Sequence, residues 1–280
     1  MGNPFADEVA VEPDAPGRYR ATLGPGWNLR PLPQGGIITA LALRAMEAEL
    51  DEAGETLRTL STMFIGQVAD GPLTIDVEVL RRGRSMSHLR AEVCNDGAPQ
   101  GHVTTAVFGR VREGFAFTDI VPPDVPPPEE CPSFRDPPPP DWPAFEPLPF
   151  WGRVEGRPAL GFPPWDDTPR TTSKQAFWYR FDETPWLDDG TIDPAAVVVL
   201  ADTMPGAVGQ RVGRTDRPWF GPSIDLTVHL FAPATEEWLL AVNRARIAGD
   251  GYASVEMELW SAGALVAYGT QLMFFAFLDR

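Results

Sequence analysis

Hydrophobic and polar residues along this 280-residue chain fall into two blocks that repeat one order of elements. In the first block, Gln34-Gly35-Gly36 leads into Ile37, Ile38, Leu41, Leu43, Ala45 and Met46, interleaved with Arg44, Glu47 and Glu49. That spacing predicts a helix with one broad apolar side, ending near Gly54. Four strand-like stretches follow. Leu57 to Ile65 is the first, and Leu73 to Leu80 sets Leu73, Ile75, Val77 and Val79 against Thr74, Asp76 and Glu78. Ser85 to Cys94 is the third, and an Asn95-Asp96-Gly97 turn leads into the fourth, His102 to Phe108. The second block opens with a strand at Lys174 to Phe181. Asp193-Pro194 then supplies an N-cap and first-turn proline for a helix through Met204, although Val197-Val198-Val199 suits a strand equally well by propensity. Strands recur at Ser223 to Phe231, Trp238 to Arg246, Tyr252 to Trp260 and Ala264 to Phe277. The turns ending at Gly97 and Gly263 stand 166 residues apart, and the same offset relates the strand after Gln67 to the strand after Pro233. The pattern therefore predicts two tandem copies of one small α+β module.

Proline separates them. The stretch from Val121 to Pro149 contains Pro122-Pro123, Pro126-Pro127-Pro128 and Pro137 to Pro140, which excludes helix and central strand and predicts a stiff, extended connector over the surface. A proline-rich ligand for another protein is the alternative use of such a segment. The expected organisation is a module over 1–118, a linker over 119–170 and a second module over 171–280. Each helix must bury its apolar stripe against its sheet, and two such units side by side place a small-molecule site at the seam.

Charge and composition narrow the chemistry. A formal net charge of −16 disfavours nucleic acid and anionic membranes as partners. An anionic ligand would need a local basic patch, and the densest is Arg81-Arg82-Gly83-Arg84, with Arg90 beyond; these arginines could equally balance neighbouring acids. Cys94 and Cys131, in unrelated contexts, make neither a disulfide framework nor a metal site. The first residues carry no basic start or apolar stretch, Ala6 stands where a myristoylation motif wants Ser or Thr, and no apolar run approaches the ~18 residues of a membrane span. A cytoplasmic protein is expected. His88, His102 and His229 are isolated on strands, and neither a nucleophile elbow nor a P-loop is present.

Three polar residues stand out by position. Asp202 ends the apolar run Ala195 to Ala201, where an ionised carboxylate is costly unless paired or used. It could also cap a short turn at Thr203-Met204-Pro205. Ser223 opens an alternating strand whose other polar members, Asp225, Thr227 and His229, could form a solvated face. Gln271 interrupts the apolar stretch Leu265 to Phe277, where it needs partners but could simply tie down a loop. The repeat supplies a control: the offset sets Leu57 opposite Ser223 and Thr105 opposite Gln271, with only Ala40, Leu41 and Ala42 near the place of Asp202. Polar residues that served the fold alone should recur in both halves.

Outside the linker the chain resembles the type II acyl-CoA thioesterase family, of double-hotdog fold. The resemblance rests on Gln34-Gly35-Gly36, the run Pro72 to Arg90, Lys174 to Trp178, Ala201-Asp202, Ser223-Ile224-Asp225 and Leu265 to Gln271. It implies a tandem double hotdog of α+β class, each module a long helix wrapped by an antiparallel sheet. It also implies hydrolysis of acyl-CoA to free acid and CoA, with no metal or other cofactor. Asp202 would be the general base or orient the water, Ser223 and Gln271 would hold that water, and the Gly36 backbone N–H would serve the oxyanion. The family usually has threonine where Ser223 stands, and the hydroxyl is kept. Arg81, Arg84 and Arg90 become candidates for the CoA phosphates, and a homo-oligomer is expected. A hotdog protein that binds acyl-CoA or another lipid-like ligand without turnover is the alternative. A hotdog enoyl-CoA hydratase would want an Asp-His pair at the helix, and no histidine lies near either helix.

Overall fold

The computed structural model describes residues 4–51, 54–140, 147–162, 166, 168, 170–213 and 215–278. The first module comprises α1 (Pro4–Glu8), β1 (Glu12–Ala15), β2 (Arg18–Leu23), α2 (Gly35–Leu50), β3 (Thr56–Phe64), β4 (Gly71–Arg82), β5 (Met86–Asn95) and β6 (His102–Gly109). After the proline-rich stretch come β7 (Val154–Leu160), β8 (Gln175–Phe181), α3 (Pro194–Ala201), α4 (Gly206–Val212), β9 (Trp219–Phe220), β10 (Asp225–Leu230), β11 (Leu239–Gly249), β12 (Tyr252–Ser261), β13 (Ala264–Phe274) and β14 (Ala276–Phe277).

Twelve strands form one antiparallel sheet in the order β1-β2-β4-β5-β6-β3-β10-β13-β12-β11-β8-β7. Read from either edge the order is the same once corresponding strands are exchanged, as a tandem double hotdog of α+β class requires. The pseudo-twofold runs through the central β3–β10 pair, where Ser61 faces Thr227 and their hydroxyls lie 3.0 Å apart. Those two residues are themselves 166 positions apart, so the offset read from the turns marks the symmetry axis.

The helices occupy the inner face. α2 starts at Gly35 because the side chain of its N-cap, Gln34, accepts the Ile37 N–H at 3.1 Å, and it stops at Asp51, whose φ of 42° is left-handed. A one-sided apolar stripe was expected; instead Gly36 to Leu43 is buried without interruption. The reason is that α2 packs against α3 as well as against β4, β5 and β6. α3 is held by its own cap, Asp193, which accepts the Ala195 N–H at 2.9 Å and pairs with Arg44 of α2.

Three features depart from the pattern. The helix expected through Met204 ends at Ala201, because Pro205 has no N–H to bond the Ala201 carbonyl and its ring crowds it. The chain turns and resumes as α4. Within the span expected as linker, Val154–Leu160 forms strand β7, an edge position where Pro158 forfeits no ladder bond. The connector ahead of it covers the outer face of the second module, with the Trp178 Nε1–H donating to the Pro126 carbonyl at 3.0 Å. The long terminal strand breaks at Phe275 into β13 and β14.

Candidate active site

α3 delivers Asp202 as its C-cap residue, with the backbone already turning away at φ −78° and ψ 17°. Its carboxylate does not cap the local turn. Instead Oδ2 accepts the Gly36 N–H at 2.8 Å across the helix–helix contact, and Oδ1 accepts from Gln271 Nε2. Gln271 reaches it from the inner face of β13, and the same amide nitrogen lies 3.3 Å from Ser223 Oγ. Gln271 Oε1 is buried without a protein partner. The three polar residues singled out in the sequence thus meet, together with the start of α2.

Ser223 arrives there through a bulge. Strict alternation with Asp225, Thr227 and His229 would put it on the outer face. The ladder instead slips by one residue at Ile224: Thr227 pairs with Thr270, but Ser223 bridges Met273. A one-residue slip exchanges faces, so Ser223 turns inward. β3 slips at the same place, between Leu57 and Thr59, and Leu57 pairs with Phe108. Leu57 is therefore the counterpart of Ser223. The offset is one shorter in β6 and β13, so the counterpart of Gln271 is Ala106 rather than Thr105. Both counterparts are buried and apolar. The first module's interior carries instead a hydroxyl chain, Thr39 to Thr62 at 3.1 Å and Thr62 to Thr104 at 2.8 Å.

Burial pushes the Asp202 carboxyl up to about 6, against the opposing pull of Gln271 and the N–H groups of Gly36 and Gly35. Those N–H groups are the unpaired donors of a helix N-terminus and carry partial positive charge, so they hold the ionised form in an otherwise apolar place. The glycines are required by space. A Cβ on Gly36 would stand 3.0 Å from Val199 Cα and 3.0 Å from Asp202 Cβ, and one on Gly35 would stand 2.8 Å from the Phe64 ring.

The arginines lie elsewhere. Arg81 follows the bulge near the end of β4 and Arg84 sits in the β4–β5 turn, beside the row Met86–Gly109–Thr56. The Ser223 end of the sheet lies at Phe64, eight residues away along β3, or roughly 27 Å at the usual rise. Arg90 pairs with Glu92 at 2.8 Å on the outer face, and Arg82 donates to the Leu50 carbonyl at 2.8 Å, closing the end of α2. His102 packs edge-on to Phe64 at 4.8 Å, and burial lowers its pKa to about 4, so it is a neutral core ring.

Two family models match the sequence: the acyl-CoA thioesterase C-terminal domain over residues 128–275 and the acyl-CoA thioesterase N-terminal domain over residues 23–109. The chain belongs to the acyl-CoA thioesterase family. Among curated proteins none matches. Solved structures do. A conserved protein of unknown function with a hot dog fold from Alicyclobacillus acidocaldarius shares 27% identity over 99% of each chain, with a TM-score of 0.83. A provisionally named thioesterase from Novosphingobium aromaticivorans shares 26% identity over 95% of this chain and 98% of its own, at 0.75. An acyl-CoA thioesterase II from Mycobacterium marinum, 19% identical over 98% and 99%, shares the fold at a TM-score of 0.76. Among the described residues no group of histidine, cysteine, aspartate and glutamate could hold a metal ion, and no helix is long and apolar enough to cross a membrane.

The sequence pattern missed Gln34. Besides capping α2 it donates through Nε2 to the Val199 carbonyl at 2.7 Å, pinning the two helix ends that carry Gly36 and Asp202. Its signal was present, a polar residue directly before a Gly-Gly helix start, but the partner on α3 is not visible in one dimension.

Proposed function

We propose that this thioesterase hydrolyses acyl-CoA to free acid and CoA with a water activated by Asp202. The observation that supports it best is the buried Asp202 carboxyl, raised to about 6 and bonded to Gln271 and Gly36, in one module only. A base titrating just below neutral pH is ionised at pH 7 yet basic enough to take a proton in the transition state. Water seated between Asp202, the free Oε1 of Gln271 and the Ser223 hydroxyl loses a proton to Asp202 as its oxygen bonds to the thioester carbonyl carbon. The resulting oxyanion collapses, the C–S bond breaks, and the CoA sulfur takes the proton back from Asp202.

Gly36 has two duties in this scheme. Its N–H holds the carboxylate at rest. When Asp202 is protonated, the negative charge passes to the thioester oxygen, and the N–H follows the charge. Arg81 and Arg84 lie at the far end of the sheet and Arg90 faces away on its outer side, so in this reading a second copy of the chain, as in a homo-oligomer, brings them to the CoA phosphates. Release of free thiol from a series of short, medium and long acyl-CoAs tests the reading. Tight acyl-CoA binding without thiol release would make the protein a non-catalytic binder.

A further inference from the structure

Gln175 and Asn243 are both wholly buried, and all four polar atoms of their amides lack a protein partner. They stand directly opposite each other in the β8–β11 ladder. Buried amides without partners are costly, and a pair in register on adjacent strands concentrates that cost at one spot. The spot continues the candidate active site. Across the inner face of the second sheet Gly269, Met257, Asn243 and Gln175 form one row on β13, β12, β11 and β8. Gln271 lies two residues from Gly269 on β13. With strands about 4.8 Å apart and a rise of about 3.3 Å per residue, Asn243 is roughly 12 Å from Gln271 and Gln175 roughly 16 Å. That is the reach of a medium-length acyl chain.

The intervening lining is small or unbranched. Gly269 brings no side chain, and the tip of Met204 occupies its place, 2.8 Å from where a Cβ would stand. Met204 and Met257 are unbranched and adjust readily. Over the amides lies α4, which opens with Gly206, Ala207, Val208 and Gly209; a Cβ on Gly206 would stand 3.2 Å from Gln175 Nε2.

Building on the hydrolase reading, we infer that the acyl group enters between α4 and the second sheet and that Gln175 and Asn243 receive an oxygen on it. The substrate class is a medium-chain acyl thioester bearing a hydroxyl or carbonyl group along the chain or at its end. An amide pair offers both donors and acceptors, so it suits either group, whereas an unsubstituted chain would leave all four atoms unpaired.

The test compares kcat/KM for a medium-chain acyl-CoA with and without an oxygen at the far end, in the parent and in Gln175→Met and Asn243→Leu. The parent should favour the oxygenated thioester at least tenfold. Each variant should lose most of that ratio, with activity on the plain chain rising as that on the oxygenated chain falls. The variants should melt at or above the parent's temperature, because apolar side chains replace unpaired amides. A binding measurement stands apart from turnover: a free medium-chain hydroxy acid should raise the parent's Tm and not that of the double variant. If no acyl-CoA is hydrolysed but that shift appears, the hydrolase reading falls and the amide site survives. Equal kcat/KM for the two thioesters in the parent, with the ratio unmoved in the variants, overturns the inference.

Discussion

Replacing Asp202 by Asn separates a catalytic carboxylate from a structural one, because the two roles predict opposite changes in stability. Burial raises the folded-state pKa from an ordinary 3.8 to about 6. Two units correspond to about 3 kcal/mol, which is the cost of keeping this carboxylate ionised inside the fold. The sign follows from the direction of the shift. Between about pH 4 and pH 6 the native chain holds the proton more tightly than the unfolded one, so stability falls as pH rises through that window. The whole penalty is present above it. Asn carries no such penalty, and it can keep both contacts: its Oδ1 accepts the Gly36 N–H, and a rotated Gln271 amide offers the now unpaired Oε1 to its Nδ2. At pH 8 the variant should therefore be more stable by up to about 3 kcal/mol. With an unfolding entropy near 0.6 kcal/mol/K for a chain of this size, Tm should rise by up to about 5 °C. The gain should fall to about half at pH 5 and nearly vanish by about pH 4. Over the same samples kcat should drop roughly 10²–10⁴-fold, as loss of a general base does, with KM little changed. Thermal melts across pH, paired with thiol-release kinetics, read both. A variant that melts lower at every pH and turns over at the parent's rate would refute the reasoning.

The parent's kcat/KM should decline below about pH 6 with a single protonation, since only the ionised form of Asp202 accepts a proton; a flat kcat/KM profile from pH 5 to 8 would remove it as the base. Ser223→Ala and Gln271→Ala should each lower kcat less than Asp202→Asn, while Ser223→Thr keeps the hydroxyl and most of the rate, as a parallel rate series would register. Gly36→Ala sets a methyl 3.0 Å from Val199 Cα and should cost about 1–3 kcal/mol by denaturant titration together with most of the activity. Charge-removing changes at Arg81, Arg84 and Arg90 should raise KM for acyl-CoA, with kcat held, if a second copy brings them to the phosphates. An unchanged KM in all three would send the search to Arg211 and Arg217, which flank the site in sequence; Arg214 lies outside the described residues.

The repeat, the module order and the identity of Asp202, Ser223 and Gln271 are written in one dimension. Period-two and helical spacings report local burial, and a 166-residue offset survives as arithmetic because the two modules fold alike. The asymmetry between the halves was legible for the same reason: Leu57 stands where Ser223 does, whichever neighbour each one meets. Tertiary structure decided the rest. Pro205 cut the second helix short, but only packing against α2 turned the freed Asp202 toward Gly36 instead of its own turn. Alternation placed Ser223 outside, and a one-residue slip against β13 brought it in. Sequence counts the charges of Arg81 and Arg84 without regard to distance, and it is the length of β3 that sets them at the end of the sheet away from Ser223. The acidity of Asp202 is of the same kind. A carboxylate has one intrinsic pKa in any sequence, and it is the surrounding apolar volume, assembled from strands and helices distant along the chain, that moves it.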